Sequence, residues 1–469
     1  MSFKKAIEAQ AHKGKTFTEN GAVVRKSSGT DVLNLFTKIG SMRNTPDSEK
    51  ARMFHKAYHE DADLTIRMLL WVRDVLQGAG ERQTFRVLLK ELENLDKDLA
   101  KRLIPKIPEL GRWDDLFAYD TPSIQKEAMG FYYEALKNKN SLAAKWAPRE
   151  ASARKEWAER LRAVTGLTPK QYRKMLVELT DVVETKMCDN KWKEINFSHV
   201  PSVAMSIYNR AFMKHVPKEF SEFSEKAVNG EVKINAKALY PHILYQKMRG
   251  YGNNKDTIQA QWNSLPDFVS NGARILPMCD VSGSMRGLPM DVSVGLGLYL
   301  AERNKSVFKD VVLTFSSNPR LYSLQGDLYS KIRQLETADW TMSTNLEKAF
   351  DLVLSTGIKN KLSENDMPEM IVVLTDIQFD QGSSTNETTL KAIKKKYKAA
   401  GYKMPKLVFW NLDSRWNTGQ VQAKFDKEMV AEVSGFSPSI MTAILSDKLE
   451  KFTPYNVMLE TLQKERYNY

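Results

Sequence analysis

The chain has 469 residues, of which 42% are hydrophobic, and its formal net charge is +13 at pH 7. This length exceeds that of one ordinary domain, so two or three domains are expected. No run approaches the roughly 20 consecutive apolar residues that span a bilayer. The start, Met-Ser-Phe-Lys-Lys, has no apolar segment of the kind found in secretory signals. The sequence therefore predicts a protein without a membrane span, located in the cytoplasm.

The two cysteines, Cys188 and Cys279, exclude a disulfide framework and fit a reducing compartment. Positive charge is concentrated in the first part of the chain. Residues 1–270 hold 45 Lys and Arg against 34 Asp and Glu, whereas residues 271–469 hold 25 against 23. Such an asymmetry indicates a polyanionic partner, for which nucleic acid is the first candidate.

The first 270 residues predict an arm followed by helices. Residues 1–30 are polar and rich in glycine and serine, which indicates an extended arm. From Thr30 the apolar residues recur with a period of 3.6, and helices with short Pro and Gly turns are predicted to about residue 250. No fixed-period repeat is evident, so we expect an irregular helical solenoid. Residues 218–273 predict a bridge of lower complexity, in which 237–248 fits one more helix, and a domain boundary near 265–273.

Two basic stretches in this helical half are accompanied by aromatic residues. Residues 145–162 contain Trp146 and Trp157, and residues 170–174 contain Tyr172. Basic side chains release counterions from phosphates, and aromatic rings offer bases a stacking surface. The RNA-binding candidates are Lys145, Arg149, Arg154, Lys155, Arg160, Arg162, Lys170, Arg173 and Lys174. Glutamates are interleaved with them, so a solvated helix face with buried tryptophans is an equally good interpretation.

After residue 274, predicted strands and helices alternate. The strands are 275–281, 311–316, 370–376, 406–411 and 429–433, and the helices are 288–304, 345–356, 387–400 and 438–449. This βαβ series predicts a largely parallel sheet with helices on both faces.

The first of these strands runs into a loop of oxygen-bearing side chains. Asp280, Ser282 and Ser284 stand at positions i, i+2 and i+4, and they converge on one point if the chain turns sharply. All three offer hard oxygen ligands, which suit Mg²⁺, Mn²⁺ or Ca²⁺ rather than zinc. Taken alone, the pattern also fits a loop with hydroxyl caps and no ligand.

Two later residues favour the metal site. Thr344 lies just before a predicted helix, and Asp376 ends a second buried strand. The order of these side chains along the chain resembles the metal-ion-dependent adhesion site of von Willebrand factor A domains. The five predicted ligands are Asp280, Ser282, Ser284, Thr344 and Asp376. The sequence departs from that family at Asn345, where an acidic residue is common, and at Ile377, where glycine is common.

The helical half resembles the TROVE module, named for telomerase, Ro and vault proteins. The segments that carry this resemblance are 18–24, 33–39, 73–82 and 111–115. A closer resemblance is to an uncharacterised group of Ro-like proteins of viruses and bacteria. It is carried by Tyr172-Arg-Lys, Val200-Pro-Ser, Asp280-Val-Ser-Gly-Ser-Met, Phe409-Trp-Asn and Ser434-Gly-Phe-Ser.

The resemblance implies an α + α/β chain. Its parts would be an arm at 1–30, an all-α HEAT-like repeat module at 31–270 and a doubly wound von Willebrand A (Rossmann-like) domain at 271–469. In Ro-type proteins the A domain closes the helical repeats into a ring. These proteins bind structured RNA outside the ring and single-stranded ends within its hole.

The leading functional prediction is a non-enzymatic, Ro-like RNA-binding protein with a metal site that accepts a partner's carboxylate. The alternative is a protein-interaction scaffold that uses the metal site and the solenoid without RNA. An enzyme is the third interpretation, but no phosphate-binding Gly-rich loop or Gly-x-Ser-x-Gly elbow is present. The sequence leaves the number of assembled chains open.

Overall fold

The computed structural model describes residues 15–17, 23–269, 273–315, 318–337, 345–377, 389–413, 427, 429–435, 437–444 and 452–469. At residues 15–17, 23, 24, 315, 389 and 390 it describes only the backbone. The described chain forms a helical N-terminal region followed by a mixed six-stranded sheet with helices, which is an α + α/β architecture. Within these ranges, none of the helices is long and apolar enough to cross a membrane.

The predicted arm contains a short hairpin that the sequence pattern does not indicate. Strand β1 (Lys15–Phe17) pairs antiparallel with β2 (Val23–Arg25), with Thr16 opposite Val24. The helices that follow are α1 (Asp31–Ile39), α2 (Asp47–Glu60), α3 (Ala62–Arg73), α4 (Arg82–Leu95), α5 (Lys97–Arg102), α6 (Lys106–Leu110), α7 (Pro122–Lys137), α8 (Ser141–Trp146), α9 (Lys155–Thr165), α10 (Pro169–Leu179), α11 (Val183–Cys188), α12 (Ser202–His215), α13 (Pro217–Val228), α14 (Pro241–Arg249) and α15 (Lys255–Asn263).

Local side chains fix where several of these helices begin. The Thr30 hydroxyl accepts a hydrogen bond from the Leu33 amide at 3.2 Å and caps α1. Asp61 and Asp96 cap α3 and α5 through the amides three residues ahead. Each cap satisfies an amide that has no partner within its helix, which typically stabilises the helix by about 1 kcal/mol.

The bridge predicted at 218–273 forms three helices, so its interpretation as a linker was wrong, whereas the helix predicted at 237–248 overlaps α14. Helix α13 covers its start, and α14 and α15 follow. The buried Ser224 and Thr257 hydroxyls are 2.6 Å apart between α13 and α15. The glycines and asparagines that suggested a linker occupy the turns between these helices, as at 250–254.

The six-stranded sheet follows the predicted alternation closely. Its strands are β3 (Ile275–Asp280), β4 (Val311–Phe315), β5 (Leu321–Ser323), β6 (Met370–Thr375), β7 (Lys406–Asn411) and β8 (Val430–Ser434). Their order is β5-β4-β3-β6-β7-β8, and all neighbours are parallel except β4 and β5. The five predicted strands are therefore confirmed to within one residue at each end, whereas the short edge strand β5 was not predicted.

Helices cover both faces of this sheet. They are α16 (Leu288–Arg303), α17 (Leu328–Glu336), α18 (Leu346–Lys359), α19 (Thr389–Ala399), α20 (Pro438–Ile444) and α21 (Pro454–Leu462). In β6, Val372 and Leu374 belong to the core cluster that contains α16 and α21, while Ile371 and Val373 belong to the cluster with α18 and α19. Burial on both faces explains why the strands are continuous apolar runs rather than alternating ones.

The helical region and the sheet region share one continuous core cluster and contact each other at several points. Gly40, at the end of α1, lies so close to β8 that a Cβ atom there would be 2.4 Å from the Ser434 carbonyl oxygen. Gly295 in α16 also lies close to α14, because a Cβ atom on Gly295 would be 2.7 Å from the His242 Cα. Near the C-terminus, Arg466 donates two hydrogen bonds to Asp74, which follows α3.

Candidate functional site

Asp280 is the last residue of β3 and is completely buried. Its Oδ1 accepts a hydrogen bond from the Ser282 amide at 2.9 Å, which turns the chain sharply after the strand. Its Oδ2 accepts one from the Thr375 hydroxyl at 2.6 Å. Among the described residues, no lysine or arginine forms an ion pair with this carboxylate.

Asp376 follows β6, the parallel neighbour of β3. The register pairs Cys279 with Leu374, so Thr375 lies opposite Asp280 and Asp376 is one residue beyond it. Burial, together with the negative charge of Asp376, raises the pKa of Asp280 to about 7. Two carboxylates held together in a buried position repel each other when both are ionised, and a bound dication removes that repulsion.

The serines form the other side of this site. The Ser282 and Ser284 hydroxyl oxygens are 3.1 Å apart, with Ser282 buried and Ser284 exposed to solvent. The short 3₁₀ turn Gly283–Met285 positions them, and the buried Met285 side chain anchors this turn in the core. The structure thus brings four of the five predicted metal ligands to one edge of the sheet. The fifth, Thr344, lies outside the described residues.

The donor set of this site fits a hard dication. Among the described residues, no three or more His, Cys, Asp or Glu side chains form a cluster able to hold a metal. A zinc site of the usual kind is therefore absent from these ranges, and hydroxyl oxygens supply half of the described donors at the sheet edge. Mg²⁺ or Mn²⁺ accepts such a mixed set and retains water in its remaining positions.

Thr375 is a residue of this candidate site that the sequence pattern missed. Its hydroxyl donates to Asp280 and accepts from the Ile377 amide at 3.0 Å, so it links the two strand ends. The backbone of Ile377 has φ +66°, which is the left-handed conformation that glycine adopts freely.

The basic candidates of the helical half are not one continuous surface of free positive charge. Lys145 contacts Glu184 at 2.7 Å, and Arg154 contacts the buried Asp114 at 3.0 Å. Arg162 and Arg173 both contact Glu150, at 3.5 and 2.8 Å. Ion pairs between different elements therefore neutralise these four residues, and Arg149 donates to the Ala144 carbonyl oxygen.

The remaining candidates extend into solvent. Lys155 and Lys174 each lie four residues from a glutamate of their own helix, at 3.7 and 3.6 Å, with side chains 68% and 76% exposed. Lys170 is also exposed. Arg160 lies over the Trp157 ring, 5.2 Å from its centroid. Exposed pairs of this kind contribute little energy, so these cations remain able to contact phosphates.

A cleft of about 430 Å³ opens beside this region. It is lined by Arg86, Lys90, Asp114, Phe117, Arg154 and Trp157, among others. Arg86 and Arg154 both bind Asp114, and Lys90 contacts Asp120 at 2.9 Å. The cleft is therefore aromatic and charged, but its cations are engaged by carboxylates.

Comparisons with known proteins cover both regions. Residues 149–273 match the model of a domain of unknown function, DUF2828, and residues 274–466 match that of another domain of unknown function, DUF7788. The chain is 29% identical over 503 residues to the uncharacterised protein L728 of Acanthamoeba polyphaga mimivirus. That similarity covers 96% of this chain and 87% of the viral protein. The whole two-part chain is therefore similar to an uncharacterised viral protein.

Proposed function

We propose that this protein is a non-enzymatic, Ro-like RNA-binding protein whose α/β half holds a divalent cation. The observation that carries the proposal is the buried Asp280, which lies beside Asp376 and two serine hydroxyls where adjacent parallel strands end. Asp280, Ser282 and Ser284 would hold Mg²⁺ (or Mn²⁺ or Ca²⁺), with Asp376 and Thr344 completing the set. With few anionic ligands, a bound cation supplies an open position for a carboxylate from a partner.

A von Willebrand A-like domain is the fold that we propose for the α/β half. Its support is the parallel order of β4, β3, β6, β7 and β8, with helices on both faces and the candidate ligands after β3 and β6. Open sheets of this kind bind ligands beyond the carboxyl ends of their strands.

We propose that the helical half is a TROVE-like, HEAT-like module that closes on itself through the α/β half. Both of its ends contact the sheet region, with α1 against β8 and α14 against α16. Its first and last parts also contact each other, because the turn between α3 and α4 places Gly80 against the Tyr240 hydroxyl, just before α14. An open solenoid would keep its first and last helices apart.

RNA is the partner proposed for the helical half. The support is its excess of 45 basic over 34 acidic residues, compared with near balance in residues 271–469. Phosphate contacts made by several Lys and Arg side chains dominate nucleic-acid affinity and make it depend on salt. Lys155, Lys170 and Lys174 are the candidates best exposed for such contacts.

A protein-interaction scaffold is the second candidate function. The specific observation in its favour is that Glu184, Asp114 and Glu150 neutralise much of the predicted basic surface. Salt separates the two functions, because RNA affinity through several phosphates falls by orders of magnitude between low and physiological salt.

The test of the metal site is calorimetric titration of Mg²⁺ and Mn²⁺ into the wild type, Asp280→Ala and Ser284→Ala. We expect Asp280→Ala to abolish binding and Ser284→Ala to weaken it. Asp351→Ala is the matched control, since Asp351 pairs with Lys396 between α18 and α19, is not a candidate ligand and should not affect binding. Equal binding by the wild type and Asp280→Ala would disprove the site.

To test RNA binding, the nucleic acid that copurifies with the tagged protein is first identified by sequencing. The affinity of the protein for this nucleic acid is then measured at several salt concentrations. Reversing Lys155, Lys170 and Lys174 to Glu should weaken binding and reduce the salt slope by about 0.7–0.9 for each lost phosphate contact. Asp280→Ala should retain RNA binding. An unchanged affinity and slope would show that these lysines are only a solvated helix face.

A further inference from the structure

The turn between α14 and α15 presents the most exposed large hydrophobic side chain of the described residues. Tyr251 is 94% exposed and lies between Gly250 and Gly252. A tyrosine in this position buries almost no surface, so it contributes little to the stability of the fold. Its ring has both faces available to a ligand.

Hydrogen bonds to α12 hold this turn in one conformation. The Asn254 amide donates to Asn209 Oδ1 at 2.7 Å, and Arg210 Nε donates to Asn253 Oδ1 at 3.2 Å. Asn253 Nδ2 in turn donates to the Lys247 carbonyl oxygen at 2.9 Å. Gly252 has φ +72°, a conformation that favours glycine. The tyrosine is therefore presented from a fixed backbone.

The charges around this turn differ from those of the predicted basic stretches. Arg210 and Lys214 are exposed on α12, and Lys247 lies in the last turn of α14. None of the three forms an ion pair with the described residues. The Arg210 guanidinium lies against the turn itself, with Nη2 3.6 Å from a Cβ built on Gly250. Cations that form no ion pair with the described residues thus lie on the two helices next to this turn, with Arg210 against the turn itself.

We propose that Tyr251 stacks on a base of single-stranded RNA, while Arg210, Lys214 and Lys247 contact the adjacent phosphates. This inference rests on the proposed RNA-binding function and assigns it a contact surface. A base stacked on an aromatic ring and a backbone held by unpaired cations are the two elements of single-strand recognition. Duplex RNA does not offer its stacked bases in this way, so the site favours single strands.

The turn is also linked to the metal loop. Arg249, two residues before Tyr251, lies with Nη1 3.7 Å from Asp291 Oδ1, and Gln246 donates to Asp291 Oδ2 at 2.6 Å. Asp291 is in the first turn of α16, directly after the loop that contains Ser282 and Ser284. The proposed RNA contact therefore belongs to the junction of the two halves.

The experiment measures fluorescence anisotropy of a labelled 12-nucleotide oligouridine RNA and of a 12-base-pair RNA duplex with the full-length protein. Tyr251→Ala should weaken single-strand affinity by about 5- to 150-fold and leave the salt slope unchanged. Tyr251→Phe keeps the ring and should bind as the wild type does. Lys214→Ala should reduce the single-strand slope by about 0.7. Duplex affinity should change less than twofold in Tyr251→Ala.

The outcomes separate this inference from the function on which it rests. If the wild type binds neither RNA, the RNA-binding function fails together with the inference. If the wild type binds with a steep salt slope but Tyr251→Ala binds equally well, only the Tyr251 site is refuted. An equal loss in Tyr251→Phe and Tyr251→Ala would also refute stacking, since the hydroxyl would then be the contact. Val307→Ala, at a side chain that is 69% exposed in the sheet region and away from the proposed RNA contacts, controls for surface truncation.

Discussion

Removal of Arg466 tests how firmly the C-terminus holds the two regions together. Asp74 is fully buried, and its carboxylate accepts hydrogen bonds from Arg466 Nε at 2.6 Å and Nη2 at 2.9 Å. Among the described residues, Arg466→Ala leaves this carboxylate with the Tyr467 hydroxyl at 3.1 Å and the Leu76 amide. Breaking a buried ion pair by removing one partner typically costs about 3–5 kcal/mol, because a buried charge is left uncompensated.

The measurement is urea-induced unfolding of the wild type, Arg466→Ala, Asp74→Asn and the double variant. Arg52→Ala is the matched control, because Arg52 contacts Glu49 with two hydrogen bonds at 2.7 and 2.6 Å on an exposed helix. The control should cost about 0.5 kcal/mol or less. The double variant should recover part of the loss, since Asp74→Asn removes the unpaired charge.

A loss in Arg466→Ala no larger than that in Arg52→Ala would refute the reasoning. The same outcome would mean that the contact between residues 74 and 466 contributes no net stability. Two separate unfolding transitions in the wild type would show that the helical and sheet regions do not unfold as one unit.

Three further predictions follow from close contacts and buried charges. Gly40→Ala should lower the stability of the protein by about 1–3 kcal/mol in thermal unfolding, because the added Cβ would lie 2.4 Å from the backbone of β8. Gly130→Ala is the control and should be neutral or stabilising, because no described atom lies within 4 Å of its added Cβ. Burial, with a smaller effect of Arg43, lowers the pKa of His242 to about 3. Stability is therefore full above pH 6.5 and falls as the pH drops toward 3, by up to about 1.4 kcal/mol per pH unit, and His242→Gln should flatten this slope in urea titrations at several pH values. Asp280→Asn should stabilise the cation-free protein at pH 8 and remove the Mg²⁺-dependent rise in melting temperature. In the wild type, this rise corresponds to a stabilisation of about 2.7 kcal/mol when Mg²⁺ is in hundredfold excess over its Kd. A rise in the variant equal to that of the wild type would contradict the assignment.

The sheet was predictable because its strands are buried on both faces. Ile371 to Leu374 form an uninterrupted apolar run, and such runs bounded by turn residues identify buried strands. The edge strand β5 was missed because it has three residues, of which Leu321 and Ser323 are exposed. Helices α13 and α15 were missed because the turns beside them contain the glycines and asparagines typical of linkers, whereas α14 overlaps the helix predicted at 237–248.

The convergence of Asp280, Ser282 and Ser284 could be predicted from their spacing, but the hydrogen bonds and charges around them could not. The spacing of Asp280, Ser282 and Ser284 indicates a shared point, whereas the hydrogen bond from Thr375 depends on which strand lies beside β3. Tertiary contacts also determine which cations of the two basic stretches are neutralised by carboxylates. The partners of Lys145 and Arg154 lie about 40 residues away in sequence, so no local pattern reveals their ion pairs.

The buried carboxylates are the strongest argument that the sheet edge binds a ligand. A pKa near 7 instead of 3.8 for Asp280 corresponds to a cost on the order of 4 kcal/mol once the group is ionised. Folded proteins are stable by only about 5–15 kcal/mol in total, so this cost is large for one side chain. Buried carboxylates whose ionisation lowers the stability of the fold are expected at functional sites. A dication bound at Asp280 would attract both carboxylates and offset the repulsion between Asp280 and Asp376. The free energy gained in this way would increase the affinity of the site for the cation.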